Sequence, residues 1–183
     1  MKTIFRAISV AALLAVAGCN LPQPQADTVR NFTLGGPAGT VLVPNATQVR
    51  FVQVAGHLHG RSMAVRIAPN EVTYLEDVRW AESLDGAITQ LLRTRLGAVP
   101  GGATVNVRVQ RCELVRSEGN SVQLAATYSI QPAGGDHSAV RQGVFTSSPR
   151  TWDGKDYGTL VGQLQEAVGE LGEAIAAAAA EKK

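Results

Sequence analysis

Cysteine is nearly absent from this chain, with Cys19 and Cys112 the only two. That excludes a small disulfide-stapled scaffold and leaves a domain large enough to rely on its own core. Long hydrophobic runs are also missing. The longest, Ala7 to Val16, is half of the roughly 20 residues that a membrane span requires. No sign of charge dominates: 17 Lys+Arg face 15 Asp+Glu, scattered along the sequence. A chain so balanced has no electrostatic footprint for nucleic acid and no basic patch to hold it on an anionic bilayer. Catalytic signatures are missing too. There is no Gly-x-Ser-x-Gly elbow, no Ser-x-x-Lys and no His-Glu-x-x-His. Gly35 to Thr40 is glycine-rich but lacks the Gly-Lys-Ser/Thr that would hold nucleotide phosphates. Three histidines occur. His57 and His59 would share one face of an extended segment, but a zinc site needs a third ligand and His137 sits in a polar turn. Neither a metal, a cofactor nor a catalytic residue is expected.

What is present begins at the N-terminus. Lys2 and Arg6 precede the short apolar run, which ends in small residues, the layout of a secretory signal. Val16-Ala17-Gly18-Cys19 resembles the bacterial lipobox. That resemblance implies a diacylglycerol thioether on Cys19, formed by its thiolate, cleavage between Gly18 and Cys19, and acylation of the new amino group. Loss of Lys2 and Arg6 leaves the mature chain formally neutral, so attachment to a membrane rests on lipid. Each buried methylene contributes about 0.8 kcal/mol, and two or more chains anchor durably where one does not. With Cys19 capped, Cys112 has no disulfide partner and reads as a buried apolar residue. The expected organisation is a signal peptide at 1–18, a tether at 19–31 and one domain at 32–183. Two prolines keep the tether extended, and at about 3.3 Å per residue it reaches up to roughly 40 Å. Asn20 rather than aspartate after the cysteine resembles the pattern that permits sorting to the outer membrane.

Within the domain, Phe32 to Leu34 is expected as an edge strand. Arg50 to Ala55, apolar on both parities, is expected as a strand covered on both faces. Met63 to Ile67 and Glu71 to Trp80 flank Pro69-Asn70 as a hairpin. Leu84, Ile88, Leu91, Leu92 and Leu96 fall at i, i+4, i+7, i+8 and i+12, which predicts a helix from Glu82 to Leu96 stopped by Gly97. Thr104 to Leu114 changes parity between Val109 and Cys112, as a β-bulge would make it. Ser121 to Gln131 and Ala139 to Thr146 complete an antiparallel meander. A closing helix is expected from Gly154 to Ala180, capped by Asp153, with Asp156 near the positive end of its dipole. Leu160, Leu164, Val168, Leu171 and Ile175 form its buried stripe. Gly158, Gly162, Gly169 and Gly172 form a second stripe, at about 1 kcal/mol each relative to alanine. They mark a face where a sheet, helix or neighbouring subunit comes close. The sum is an α/β fold: a mixed sheet of about five strands packed by two main helices.

Leu58-His59-Gly60-Arg61-Ser62-Met63-Ala64-Val65-Arg66, then Asn70-Glu71-Val72, then Arg79-Trp80-Ala81-Glu82-Ser83-Leu84 carry a resemblance. Together they resemble the ABC-type transport auxiliary lipoprotein family, of PqiC-like proteins, with Arg-Trp-Ala-Glu-x-Leu as the specific block. The chain departs from the family pattern in two places, with Asn31-Phe32-Thr33-Leu34 for a Tyr-x-Leu strand and an additional glycine, Gly60, in the turn before Arg61. The resemblance implies an anticodon-binding-like α/β fold and a non-enzymatic subunit under the outer membrane. It also implies an MCE-domain protein and ABC permease as partners, a homo-oligomeric ring, and an ATPase on a separate chain. Trp80 is expected to bury the start of the first helix against the sheet. Arg61 and Arg66 are expected at an inter-subunit or docking surface, since guanidinium forks suit polar interfaces. The competing reading is a lipoprotein scaffold of another envelope complex, for secretion or outer-membrane assembly. A lipid-tethered hydrolase would need a cleft with nucleophile and base, which the sequence does not assemble.

Overall fold

The computed structural model describes residues 26–35, 47–97, 102–134 and 140–181. The expected signal peptide, Cys19, most of the tether, nearly all of the glycine-rich 35–40 stretch, and His137 lie outside them. The chain forms β1 (Arg30–Phe32), β2 (Thr47–Val54), β3 (Ser62–Ala68), β4 (Glu71–Trp80), α1 (Leu84–Leu96), β5 (Ala103–Val115), β6 (Ser121–Gln131), β7 (Arg141–Thr146), β8 (Arg150–Thr151) and α2 (Tyr157–Ala180). Short 3-10 turns occupy Gly56–Leu58 and Arg116–Glu118.

One mixed sheet of eight strands runs β1-β4-β3-β5-β6-β7, with β2 also beside β5 and β8 beside β6. It exceeds the expected five or so because the short early strands all join it and the two-residue β8 adds to them. β1 begins at Arg30, inside the stretch read as tether, and pairs in parallel with Val78 to Trp80 of β4. The β3–β4 hairpin and the β5–β6–β7 meander are antiparallel, as expected. β2 and β3 lie end to end along the same side of β5, both parallel to it.

Two bulges decide which side chains face where. In β5 the register with β6 slips between Val109 and Arg111. Val105, Val107 and Val109 point inward before the slip, and Cys112 and Leu114 after it, all buried. The same slip turns Arg111 and Glu113 to the opposite face. In β2 the register with β5 slips between Val49 and Phe51. That corrects the expectation of a strand covered on both faces: Val49, Val52 and Val54 are buried, while Phe51 is 42% exposed. Apolar residues on both parities came from the bulge, not from two covers.

Both helices pack on one face of the sheet, their stripes joining a single core with the inward residues of β5 and β6. Every residue of the two expected leucine-rich stripes is buried. Gly97 ends α1 at φ 75°, where a Cβ would be strained, and Arg93 ties α1 to β2 through the carbonyls of Val49 and Arg50 at 3.1 and 3.3 Å. The cap of α2 is Asp156, not Asp153: its carboxylate accepts from the N–H groups of Gly158 and Thr159 at 3.1 and 3.0 Å. Asp153 instead accepts from Lys155 N–H in the preceding turn. The helix starts late because Trp152 is buried and donates its indole N–H to Asp156 O, which fixes the approach. At the other end Arg141 of β7 donates to the carbonyls of Ala178 and Glu181 at 2.7 and 2.5 Å. A cation there satisfies free carbonyls and complements the helix dipole.

Candidate functional site

The helices leave the other face of the sheet open, and two features lie on it. The first is a buried carboxylate. Glu113 is 0% exposed and accepts from Arg66 Nε at 2.5 Å and from His57 Nε2 at 3.2 Å, with Arg111 Nε 4.0 Å away. Arg66 also donates to Pro69 O, and Tyr74 donates to His57 O, which pins the turn over the acid. Arg111 donates to Gln123, and Gln123 to Glu118. Removing one partner from such a buried pair costs about 3–5 kcal/mol, because the other charge is stranded.

This places the expected site residues. Arg66, with a side chain only 11% exposed, pairs with Glu113. Arg61 is exposed, and its carbonyl accepts from Trp80 N–H at 2.7 Å. Trp80 itself is buried where β4 leads into α1. His57 lies in a 3-10 turn instead of the extended segment that would align it with His59. Among the described residues no group of three His, Cys, Asp or Glu is placed to hold a metal. Cys112, beside Glu113 in sequence, points to the core. Burial, with the Glu113 charge adding to it, pushes its thiol up to about 12, so it is not a nucleophile.

The four glycines of α2 separate into pairs. A Cβ on Gly169 would stand 3.2 Å from the Arg95 guanidinium, and one on Gly172 would meet Leu92 at 3.6 Å. The close neighbour at these two is therefore α1 of the same chain. Gly158 faces only its own cap residue Asp156, and Gly162 has open space around it.

The second feature is a groove of about 550 Å3 across β2, β5, β6 and β7. Strand pairing sets its walls in two cross-strand rows. Phe51, Asn106, Ser129 and Gln142 are successive partners in the first. Gln53, Arg108, Thr127 and Val144 are successive partners in the second. Thr127 Oγ1 accepts from Gln110 of the bulge at 3.0 Å. Asn106 Oδ1 is buried without a hydrogen-bond partner, and no carboxylate pairs with Arg108 among the described residues. Val144 is 82% exposed at the groove's edge.

Sequence reasoning missed both features. A glutamate in an alternating strand reads as a solvated position, and the rows join residues from four separate strands. The signal for Glu113 was present in the parity change of β5, which puts an acid between Cys112 and Leu114 onto the face opposite them.

The model of the ABC-type transport auxiliary lipoprotein component family matches residues 32–176. A crystal structure of an uncharacterized protein superposes with a TM-score of 0.62 at 16% identity, covering 80% of this chain and 95% of that one. A Xanthomonas campestris protein of the DUF330 family superposes at 0.61, also at 16% identity, over 80% of this chain and 88% of that one. At such identity these likenesses concern the fold. No curated protein matches the chain.

Proposed function

The chain belongs to the ABC-type transport auxiliary lipoprotein component family, and from that premise we propose that it serves an MCE-domain intermembrane lipid transporter. In this reading it is a non-enzymatic adaptor, acylated at Cys19, held on the periplasmic face of the outer membrane and acting to maintain the envelope. The observation that carries the proposal is the family match over residues 32–176, joined to Val16-Ala17-Gly18-Cys19 ahead of it. Among the described residues no helix is long and apolar enough to cross a membrane, which fits anchoring by acyl chains. The sequence has no nucleotide-binding motif, in keeping with an ATPase on another chain. Exposed Arg61 and Gly158, with Gly162 and the open space beside it, are where a neighbouring subunit or the MCE protein would meet this domain. A ring of identical subunits requires a heterologous interface, two different patches per copy.

The test is affinity isolation of the tagged full-length chain from crosslinked envelopes that also express the adjacent reading frames. An MCE-domain protein is expected in the eluate, diminished when Arg61 is changed to Glu. Recovery of secretion or outer-membrane assembly components in its place would contradict the proposal and favour a scaffold of another complex. Light scattering of the detergent-solubilised chain should report a mass several times that of one subunit; a monomer at high concentration would count against the ring.

A further inference from the structure

We propose that the groove across β2, β5, β6 and β7 binds a carboxylate-bearing saccharide. This goes beyond the transporter reading and stands without it. Six of the eight residues in the two rows are polar and Phe51 and Val144 are the apolar pair, so the groove combines apolar surface with groups that both donate and accept. Gln53, Asn106 and Gln142 supply amides and Ser129 a hydroxyl, and each offers both roles. Sugar hydroxyls have the same double character, so a ring with several of them pairs with these groups while its C–H side meets Phe51 and Val144. Asn106 Oδ1 is a buried acceptor with no donor. An acceptor in that state costs free energy that a ligand O–H or N–H recovers.

Charge selects an acid among the saccharides. Arg108 is exposed, carries no paired carboxylate among the described residues, and sits in the middle of the second row. Its planar fork accepts a carboxylate in two parallel hydrogen bonds. Phe51, 42% exposed at the end of the first row, offers an aromatic face for the C–H side of a pyranose, the apolar half of an amphipathic contact. Two bulges produce this arrangement. The slip in β2 turns Phe51 and Gln53 outward, and the slip in β5 ends the row before the Glu113 cluster begins. A volume of about 550 Å3 lies within the ordinary range of small-ligand sites, about 300–1,000 Å3.

The experiment titrates the full-length chain in detergent with digalacturonate, its dimethyl ester, and a disaccharide containing N-acetylmuramic acid, by calorimetry. Binding of either acid, with the ester at least tenfold weaker, is the expected result; the tighter of the two acids tells a free uronate polymer from a cell-wall glycan. Arg108→Gln and Gln142→Ala, both on the exposed lining, should each lower affinity tenfold or more while the melting temperature stays unchanged. Asn106→Leu should weaken binding while stabilising the free protein, because it removes the orphaned acceptor. No binding of either acid at millimolar concentration would overturn the proposal, as would equal binding of the ester. An acidic peptide or a dispersed lysophospholipid that binds more tightly than both saccharides would overturn it as well, and would make the groove a docking face or a lipid site.

Discussion

Glu113 shows how much one side chain can organise. It is fully buried on the face without helices, and three basic groups from β3, β5 and the 3-10 turn after β2 converge on it. The pair with Arg66 fixes β3 against β5, where backbone pairing covers only two registered positions, Val65 with Leu114 and Arg66 with Val115. Glu113→Gln leaves the Arg66 guanidinium largely buried without its counter-charge. Chemical denaturation should show a loss of about 3 kcal/mol or more. Changing both partners together, Arg66→Met with Glu113→Leu, should return stability to within about 1 kcal/mol of the native protein, since no charge is then stranded. A single variant as stable as the native chain would show that the ion pair is slack. The sequence could not announce this residue, because period alone cannot tell a solvated glutamate from a buried one when its partners lie about 50 residues away.

At the scale of elements, α2 divides its glycines by what lies opposite them. A Cβ on Gly162 meets nothing within 4 Å among the described residues, so Gly162→Ala should raise stability by up to about 1 kcal/mol through helix propensity. Gly169→Leu must displace Arg95 and lift α2 from α1, so its thermal midpoint should fall by several degrees. Equal effects at the two positions would refute the division. Two acids of α2, Asp156 at its cap and Glu170 in its middle, also make it respond to acid. Asp156 is held below the ordinary carboxylate value, 3.8, first by Gly158 N–H and Thr159 N–H. In Glu170 burial pulls the pKa up, but hydrogen bonds from Arg150 and Ser148 outweigh it, and the net direction is below 4.5. A carboxylate depressed on folding stabilises fully above its unfolded value and loses that contribution as the pH falls through its folded one. Stability of α2 should therefore be level from pH 7 to 5 and decline below about 4.5. Asp156→Asn combined with Glu170→Gln should flatten that decline in a denaturation series. The helices and β6 were legible because 3.6- and 2-residue periods persist over many residues, and the β5 bulge was legible as a break in one of them. The cap was misplaced by three residues because Asp153 and Asp156 both suit an N-cap, and only the buried Trp152 chooses between them. The open side of β2 was hidden because a bulge and a second cover leave the same mark on parity.

At the scale of the molecule, a sheet with helices on one side leaves its other side for contact. Family membership makes the chain an auxiliary subunit of ABC-type transport; the proposed anchor at Cys19 makes its work a matter of position. On a body so tethered, the groove and Arg61 are the proposed contact surfaces. Cys19→Ser, which removes the proposed acylation site, should release the protein from membranes and abolish recovery of the MCE partner while leaving its melting temperature unaltered. The most direct test is intact-mass spectrometry of the protein extracted from envelopes of a Gram-negative host. The account predicts a chain beginning at Cys19 and carrying a diacylglycerol thioether with an acylated amino group. A chain beginning elsewhere, or a Cys19 thiol without lipid, would contradict it.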